Sequence, residues 1–229
     1  MQNIQKQIWE HQNKEYRNFG AARTFDPSKQ LPELGEYFKG NNISTRGWMV
    51  LDLACGNGRN SIFAITEWGC SKAIGIDFDP EKLEEFSQNV KEKQLEDKIT
   101  LVNQSIGTDF PLESNSVDLI FDVFSSINLE EDERIKCRDE SLRVLKSGGF
   151  MFTYLTSVET GFIKQTMDVD LGPMSGNVVF GNGKFEQTYS EDEIRNFYKD
   201  FQMHILKKNN FMIGKFPVEM HWVLLRKEN

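Results

Sequence analysis

The sequence predicts a doubly wound α/β fold: a mostly parallel sheet covered by helices, with its last strand antiparallel. Three observations predict it. Short apolar runs alternate with amphipathic helical stretches over residues 48–155, the pattern of a parallel sheet covered on both faces. The first run, Met49-Val50-Leu51-Asp52-Leu53, leads into a glycine turn and a helix start, Ala54-Cys55-Gly56-Asn57-Gly58-Arg59-Asn60. Two further runs, 203–207 and 221–226, are joined by a stretch with no room for a crossover helix, so they pair antiparallel.

Each element has its own signal. Residues 48–53 read as a buried strand, and 59–68 as a helix with Ile62, Phe63 and Ile65 apolar. Residues 72–77 are the second strand. Pro80 opens a helix to about residue 94, with Leu83, Phe86 and Val90 recurring at helical spacing. Residues 99–103 form a third strand and 117–124 a fourth, the latter announced by Glu113-Ser114-Asn115-Ser116. A helix over 130–145 turns Ile135, Leu142 and Leu145 to the core; Ser147-Gly148-Gly149 breaks it, and 150–155 is a fifth strand. Ser190 and Glu193 form a capping box for a helix over 190–198. Residues 156–189 are long for a plain connection, and Val178-Val179-Phe180 and Lys184-Phe185-Glu186 flank Gly181-Asn182-Gly183 as a small hairpin. An insertion at the carboxyl ends of the strands is placed to shape a substrate pocket; the alternative is a decorative loop.

Composition narrows the function classes. A chain of 229 residues supports one sizeable core. The formal net charge is −8 and the pI about 5.1, which disfavours a nucleic-acid partner. No apolar run approaches the roughly 18 residues of a bilayer span, so no membrane insertion is expected. Residues 1–17 are polar and carry Glu10 and Glu15, unlike a signal peptide. The cysteines, Cys55, Cys70 and Cys137, form no Cys-x-x-Cys; neither a disulfide framework nor a zinc site is expected, and a cytoplasmic location is. Cys55 lies in the glycine turn and is expected to pack beneath it rather than act as a nucleophile. Asp168 and Asp170 stand without a further ligand cluster and read as solvated loop, so no metal is expected.

Ile74-Gly75-Ile76-Asp77 is a second apolar run ending in an acid. It lies about twenty residues past the glycine turn, the spacing at which an acid grips a nucleotide ribose. Two strand-tip acids around a glycine loop make a nucleoside-cofactor site. A dinucleotide would lay its pyrophosphate on the turn, where Asp52 would face a doubly anionic group. Ser61 also stands where the dinucleotide fingerprint has Gly or Ala. S-adenosylmethionine carries no phosphate. An acid beside the loop suits its ammonium, the loop amides suit its carboxylate, and the second acid suits its ribose hydroxyls. Glycines let the backbone approach closely.

With these residues the chain resembles the class I S-adenosylmethionine-dependent methyltransferases. Val50-Leu51-Asp52-Leu53-Ala54-Cys55-Gly56-Asn57-Gly58, Gly75-Ile76-Asp77-Phe78-Asp79-Pro80, Val117-Asp118-Leu119-Ile120-Phe121 and Arg143-Val144-Leu145-Lys146-Ser147-Gly148-Gly149 occur in the family's order and spacing, over about residues 50–155. The resemblance implies a Rossmann-like, seven-stranded sheet with its last strand antiparallel, and S-adenosyl-L-methionine as cofactor. It implies that Asp52, Gly56 and Gly58 hold the methionine end, with Ala54 and Asn57 in the same loop. Asp77 would bind the ribose, Phe78 would pack on the adenine, and Asp122 and Phe124 would line the cavity beside the transferable methyl. Many members have Asp after the third strand, bonding the adenine amino group; here Ser105 stands there, followed by Ile106, and a hydroxyl accepts more weakly. Structural roles stand beside these. Asp77 could cap the helix at Pro80, although Asp79 is nearer. Phe78 could be a core residue and Asp122 a turn residue. Gly148 and Gly149 need no ligand.

Methyl transfer from a sulfonium is an in-line displacement, helped most by holding the reacting atoms collinear in a dry pocket. A base is needed only if the nucleophile must lose a proton. Amino-directed nucleic-acid and glutamine methyltransferases usually show Asn/Asp-Pro-Pro-Tyr/Phe after the fourth strand. This chain has Asp122-Val123-Phe124-Ser125-Ser126, and lacks the Pro-Cys nucleophile of cytosine-ring methylators. A small-molecule acceptor is therefore expected. The segment with Trp9, His11, Tyr16, Arg17, Phe19 and Phe25 would fold as a lid over the cofactor, as in small-molecule members, or cover the sheet edge. No catalytic residue is identified; His11 and Tyr16 are the candidates, ahead of His204 and His221. Residues 1–45 are then a helical lid or cap, 46–155 the cofactor-binding core, 156–189 the pocket-shaping insertion and 190–229 the closing helix and strand pair of a single domain. Two other readings are a non-catalytic S-adenosylmethionine-binding scaffold, which Ser105 and the lack of a named base favour, and a nicotinamide-dependent oxidoreductase, which Asp52 and Ser61 disfavour.

Overall fold

The computed structural model describes residues 25–159, 177–179, 185–213 and 216–228. Helix α1 (Gln30–Gly40) leads into β1 (Met49–Leu53), α2 (Arg59–Thr66), β2 (Lys72–Asp77), α3 (Pro80–Glu92), β3 (Ile99–Asn103) and β4 (Val117–Val123). A 3-10 turn (Ser126–Asn128), α4 (Glu131–Val144) and β5 (Leu145–Ser157) follow. The chain then forms β6 (Asn177–Val179), β7 (Phe185–Tyr189), α5 (Glu191–Phe197), β8 (Gln202–Ile213) and β9 (Phe216–Arg226).

The main sheet runs β3-β2-β1-β4-β5-β9-β8. The β1 to β5 neighbours are parallel. Strand β9 runs antiparallel to both β5 and β8, so the expected reversed last strand is present and lies between them. The hairpin expected around residues 181–183 is the antiparallel pair β6–β7. Strand β7 also extends the sheet, pairing Thr188 and Tyr189 with Thr156 and Ser157 at the end of β5. The sheet therefore has nine strands rather than seven.

Alternation along the strands separates two cores. Val50, Phe121, Phe150, Phe152 and Trp222 face α1, α2 and α3. Leu51, Leu53, Ile120, Met151 and Val223 face α4 and α5. Helix α1 buries Leu31, Leu34 and Phe38, spaced to share one side of a helix. The Phe38 ring meets Trp48 and Phe150 at 5.4 Å and Trp68 at 6.1 Å. The Glu33 to Lys207 ion pair and the Tyr37 to His204 hydrogen bond fasten α1 to β8. The part of the 1–45 segment that α1 represents thus covers the sheet. Trp9, His11, Tyr16, Arg17 and Phe19 lie outside the described residues, as do Asp168 and Asp170.

One expectation is corrected. Ser147-Gly148-Gly149 does not separate helix from strand; β5 begins at Leu145. Val117 pairs with Leu145 and Leu119 with Phe150, so β5 spends extra residues in a bulge. Gly148 sits there at φ 78, a left-handed conformation suited to glycine. Among the described residues no helix is long and apolar enough to cross a membrane.

Candidate active site at the strand ends

The carboxyl ends of β1, β2 and β4 converge on loop 54–58. Ala54, Gly56 and Gly58 have φ of 51, 55 and 81, while Cys55 and Asn57 between them do not turn left-handed. Such alternation curls the backbone into a tight turn, closed by the Gly58 N–H on the Cys55 carbonyl at 3.0 Å. The glycines of this site serve different ends. Among the described residues, a Cβ at Gly56 would meet nothing within 4 Å, so they leave the loop open on that side. A Cβ at Gly58 would lie 1.9 Å from the Phe86 ring. A Cβ at Gly75 would lie 2.7 Å from Cys55 Sγ. Cys55 therefore packs beneath the loop as expected, and burial pushes its thiol well up, which makes it no nucleophile. Cys55 N–H donates to the Ile76 carbonyl at 3.0 Å and Asn89 Nδ2 to the Asn57 carbonyl at 2.9 Å.

Asp77 ends β2. One oxygen accepts the Gly56 N–H at 2.8 Å, the other the Asp79 N–H at 2.9 Å. Each oxygen keeps a lone pair for a further donor. Burial raises its pKa, against the pull of these amides. The cap of α3 is Asp79, which accepts the Glu81 N–H at 2.9 Å; Asp77 is free of that duty. Phe78, between them, is half-buried.

Asp52 is buried and accepts the Ser61 hydroxyl at 2.7 Å. Ser61, the departure from the dinucleotide fingerprint, is thus the partner of the strand-tip acid at the start of α2. Burial raises Asp52 to about 7, opposed by the Ser61 hydroxyl and amide and by the Arg59 charge. The folded value lies above the unfolded value of about 3.9. The native state holds a proton there that the unfolded chain has lost. Its contribution is complete below about pH 4 and lost as pH rises to about 7, a swing of up to ~4 kcal/mol. Asp52→Asn keeps an acceptor for Ser61 and removes the titration. Between pH 5 and 8 the parent melting temperature should fall relative to the variant; parallel profiles in scanning calorimetry would disprove the assignment.

Asp122 turns away from this group. Phe121 and Val123 face α1 to α3, so Asp122, one residue out of phase, faces the other core. There it accepts the Ser126 N–H at 2.9 Å, the Ser126 hydroxyl, and the Thr153 hydroxyl at 3.0 Å. It closes the turn after β4, and burial raises its pKa. Phe124 is at φ 60 and exposed, its ring edge-on to Tyr154 at 5.0 Å. The Ser125 hydroxyl ties this turn to β1 through the Leu53 carbonyl at 2.9 Å. Ser105 accepts the Gly107 N–H at 3.1 Å, and the Ile106 side chain is buried in the core of the α4 face.

His204 bonds Tyr37, and buried His221 bonds the Tyr189 carbonyl at 2.9 Å through Nε2; both serve packing. Three residues escaped the sequence reading. The Ser28 N–H donates to Asn60 Oδ1 at 2.9 Å, which fastens the chain before α1 to the first turn of α2. Tyr154 is wholly buried, and its hydroxyl makes no hydrogen bond of good geometry, although Gln30 and Asn209 lie beside it. The available signal was alternation: Tyr154 follows Phe150 and Phe152 on the face that carries Asp52.

Residues 50–149 match the family described as a methyltransferase domain. Over 112 residues the chain is 35% identical to the mouse U6 snRNA (guanine-N(2))-methyltransferase THUMPD2, covering 48% of this chain and 21% of that protein. It thus spans about a fifth of the length of the curated relative it matches. A S-adenosylmethionine-dependent methyltransferase from Clostridium acetobutylicum ATCC 824 superposes with a TM-score of 0.69 at 19% identity, over 95% of this chain and 99% of that one. The Burkholderia thailandensis 1,6-didemethyltoxoflavin-N1-methyltransferase, bound to 1,6-didemethyltoxoflavin and S-adenosylhomocysteine, superposes with a TM-score of 0.65 at 12% identity, over 96% of this chain and 84% of that one. At such identities the structural likeness shows the fold.

Proposed function

We propose that this chain, whose residues 50–149 match the methyltransferase-domain family, is a class I S-adenosylmethionine-dependent methyltransferase that transfers the methyl group of that cofactor to a small-molecule acceptor. The observation that carries the reading is the open, left-handed turn at Gly56, held between the buried acids Asp52 and Asp77. Loop 54–58 would take the methionine end, through Ala54, Gly56, Asn57 and Gly58. Asp77 would accept the ribose hydroxyls with the lone pairs its two amide bonds leave over. Phe78, with Ser105 and Ile106, would border the adenine, and Phe124 the methyl end. Asp52 would act from within, by holding the loop to α2 through Ser61. When bound, S-adenosylmethionine supplies an electrophilic methyl on a cationic sulfur. The residues of this chain then orient the partners and keep water out.

The acidic balance, −8 over 229 residues, supports a small acceptor over a polyanion. The mouse relative, an enzyme of U6 snRNA, favours RNA as a second reading. A transfer screen across small thiols, phenols, amines and carboxylates, with total cellular RNA alongside, separates them. We expect a methylated small molecule by mass spectrometry. Label appearing on RNA alone would replace this reading. Binding of S-adenosylhomocysteine with no transfer to any acceptor would point to a scaffold, and uptake of NAD in its place would overturn the cofactor.

A further inference from the structure

Among the described residues, the exposed large hydrophobic side chains are Phe25 and Phe124. Phe124 lies at the strand ends, directly after β4. Phe25 is three residues before Ser28, whose amide is held by Asn60 at 2.9 Å and whose hydroxyl is met by Arg59 at 3.3 Å. Phe124 follows β4, next to the glycine loop. A bulky residue with φ 60 is a strained one. The aromatic contact of the Phe124 ring is to Tyr154, and much of the ring faces solvent, so packing alone does not explain the strain. Strain kept without a packing return points to function.

Tyr154 supplies the second observation. It is 0% exposed, and its hydroxyl, beside the Gln30 and Asn209 side chains, makes no hydrogen bond of good geometry to a described residue. Buried donors left so are costly and uncommon. Tyr154 stands laterally between Val123 of β4 and Trp222 of β9. Gln30, two residues after Ser28, lies beside its hydroxyl. Residues 28–30 thus run from the helix of the glycine loop to Tyr154, and the Phe124 ring lies on the same tyrosine. An apolar, aromatic wall with one placed polar group is the usual make-up of a small-molecule site.

We propose that the methyl acceptor is a planar aromatic or heteroaromatic small molecule that lies against Phe124 and, in place of the Gln30 side chain, shares a hydrogen bond with the Tyr154 hydroxyl. This rests on the methyltransferase reading above. A ring heteroatom or its substituent oxygen donates its lone pair to the methyl carbon. The sulfur–carbon bond breaks with its electron pair returning to sulfur, and a proton on the attacking heteroatom leaves to water. Aromatic faces and edges favour such rings over aliphatic ones of equal size.

The test titrates the whole protein, with and without saturating S-adenosylhomocysteine, with 2-naphthol, 3-hydroxypyridine and cyclohexanol. We expect both aromatic probes to bind at least tenfold more tightly than cyclohexanol. Tyr154→Phe should weaken 3-hydroxypyridine tenfold and leave S-adenosylhomocysteine affinity within twofold. Its melting temperature should hold or rise, since a buried unbonded hydroxyl is removed. Phe124→Gly should lose affinity for both rings while melting higher, because glycine relaxes the strain. Equal affinity for cyclohexanol and the aromatic probes would overturn the proposal. So would unchanged probe affinity in Tyr154→Phe, or a fall in its melting temperature together with cofactor affinity. Failure to bind S-adenosylhomocysteine would sink the methyltransferase reading instead, while probe binding without it is still measured.

Discussion

Asp77→Ala should lose at least ~100-fold in affinity for S-adenosylhomocysteine, measured by calorimetric titration. A carboxylate accepting two ribose hydroxyls makes two charge-assisted hydrogen bonds, each worth about 1.5–3 kcal/mol. Their sum, ~3–6 kcal/mol, corresponds to a loss of a hundredfold or more. The same substitution strips Gly56 N–H of its acceptor, so the loop loses its tie to β2. The fold should survive, because burial already disfavours the ionised Asp77. Asp77→Asn, which still offers one acceptor oxygen, should fall between parent and alanine. If the alanine variant bound as tightly as the parent, Asp77 would have no part in holding the ribose.

Gly58→Ala should be the most destabilising single methyl added to the site, by about 3–5 kcal/mol in urea denaturation. Its φ of 81 penalises any side chain. The new Cβ would also overlap the Phe86 ring, 1.9 Å away. Phe86 is fully buried and has nowhere to retreat. Gly56→Ala is the contrast. It carries the backbone penalty, about 1 kcal/mol, without a clash, so its main effect should fall on cofactor affinity. A smaller stability loss at Gly58 than at Gly56 would contradict the packing role.

Much of this was legible from local chemistry. Strand β2 announces itself because it is a buried run that stops at an acid, Asp77, which accepts the amides of Gly56 and Asp79. The capping box at Ser190 and Glu193 is purely local and forms as read, with the serine oxygen accepting the Glu193 N–H. What needed the third dimension is different in kind. Strand β8, expected over 203–207, runs from Gln202 to Ile213; on an edge, polar side chains such as Lys208, Asn209 and Asn210 protect a strand without ending it. Ser147 to Gly149 read as a break, yet pairing with β4 carries the strand through them as a bulge. Asp122 was expected beside the methyl from its position at the end of the fourth strand; Phe121 and Val123 claim one face of β4, so the acid turns to the other. Tyr154 was passed over because a tyrosine in an apolar run looks like core. Only its unsatisfied hydroxyl and the strained ring beside it single it out.

The placement of β9 between β5 and β8 bears on biogenesis. Phe150 finds its cross-strand neighbour in Arg226, far along the chain, and such distant pairings form slowly. A ribosome delivers β5 long before β9. Until then Phe150, Phe152 and Tyr154 sit on a strand with one bare flank, an invitation to stray β-pairing. A nascent chain halted before residue 216 should therefore lean on holdase chaperones or precipitate, and slower translation should not rescue it.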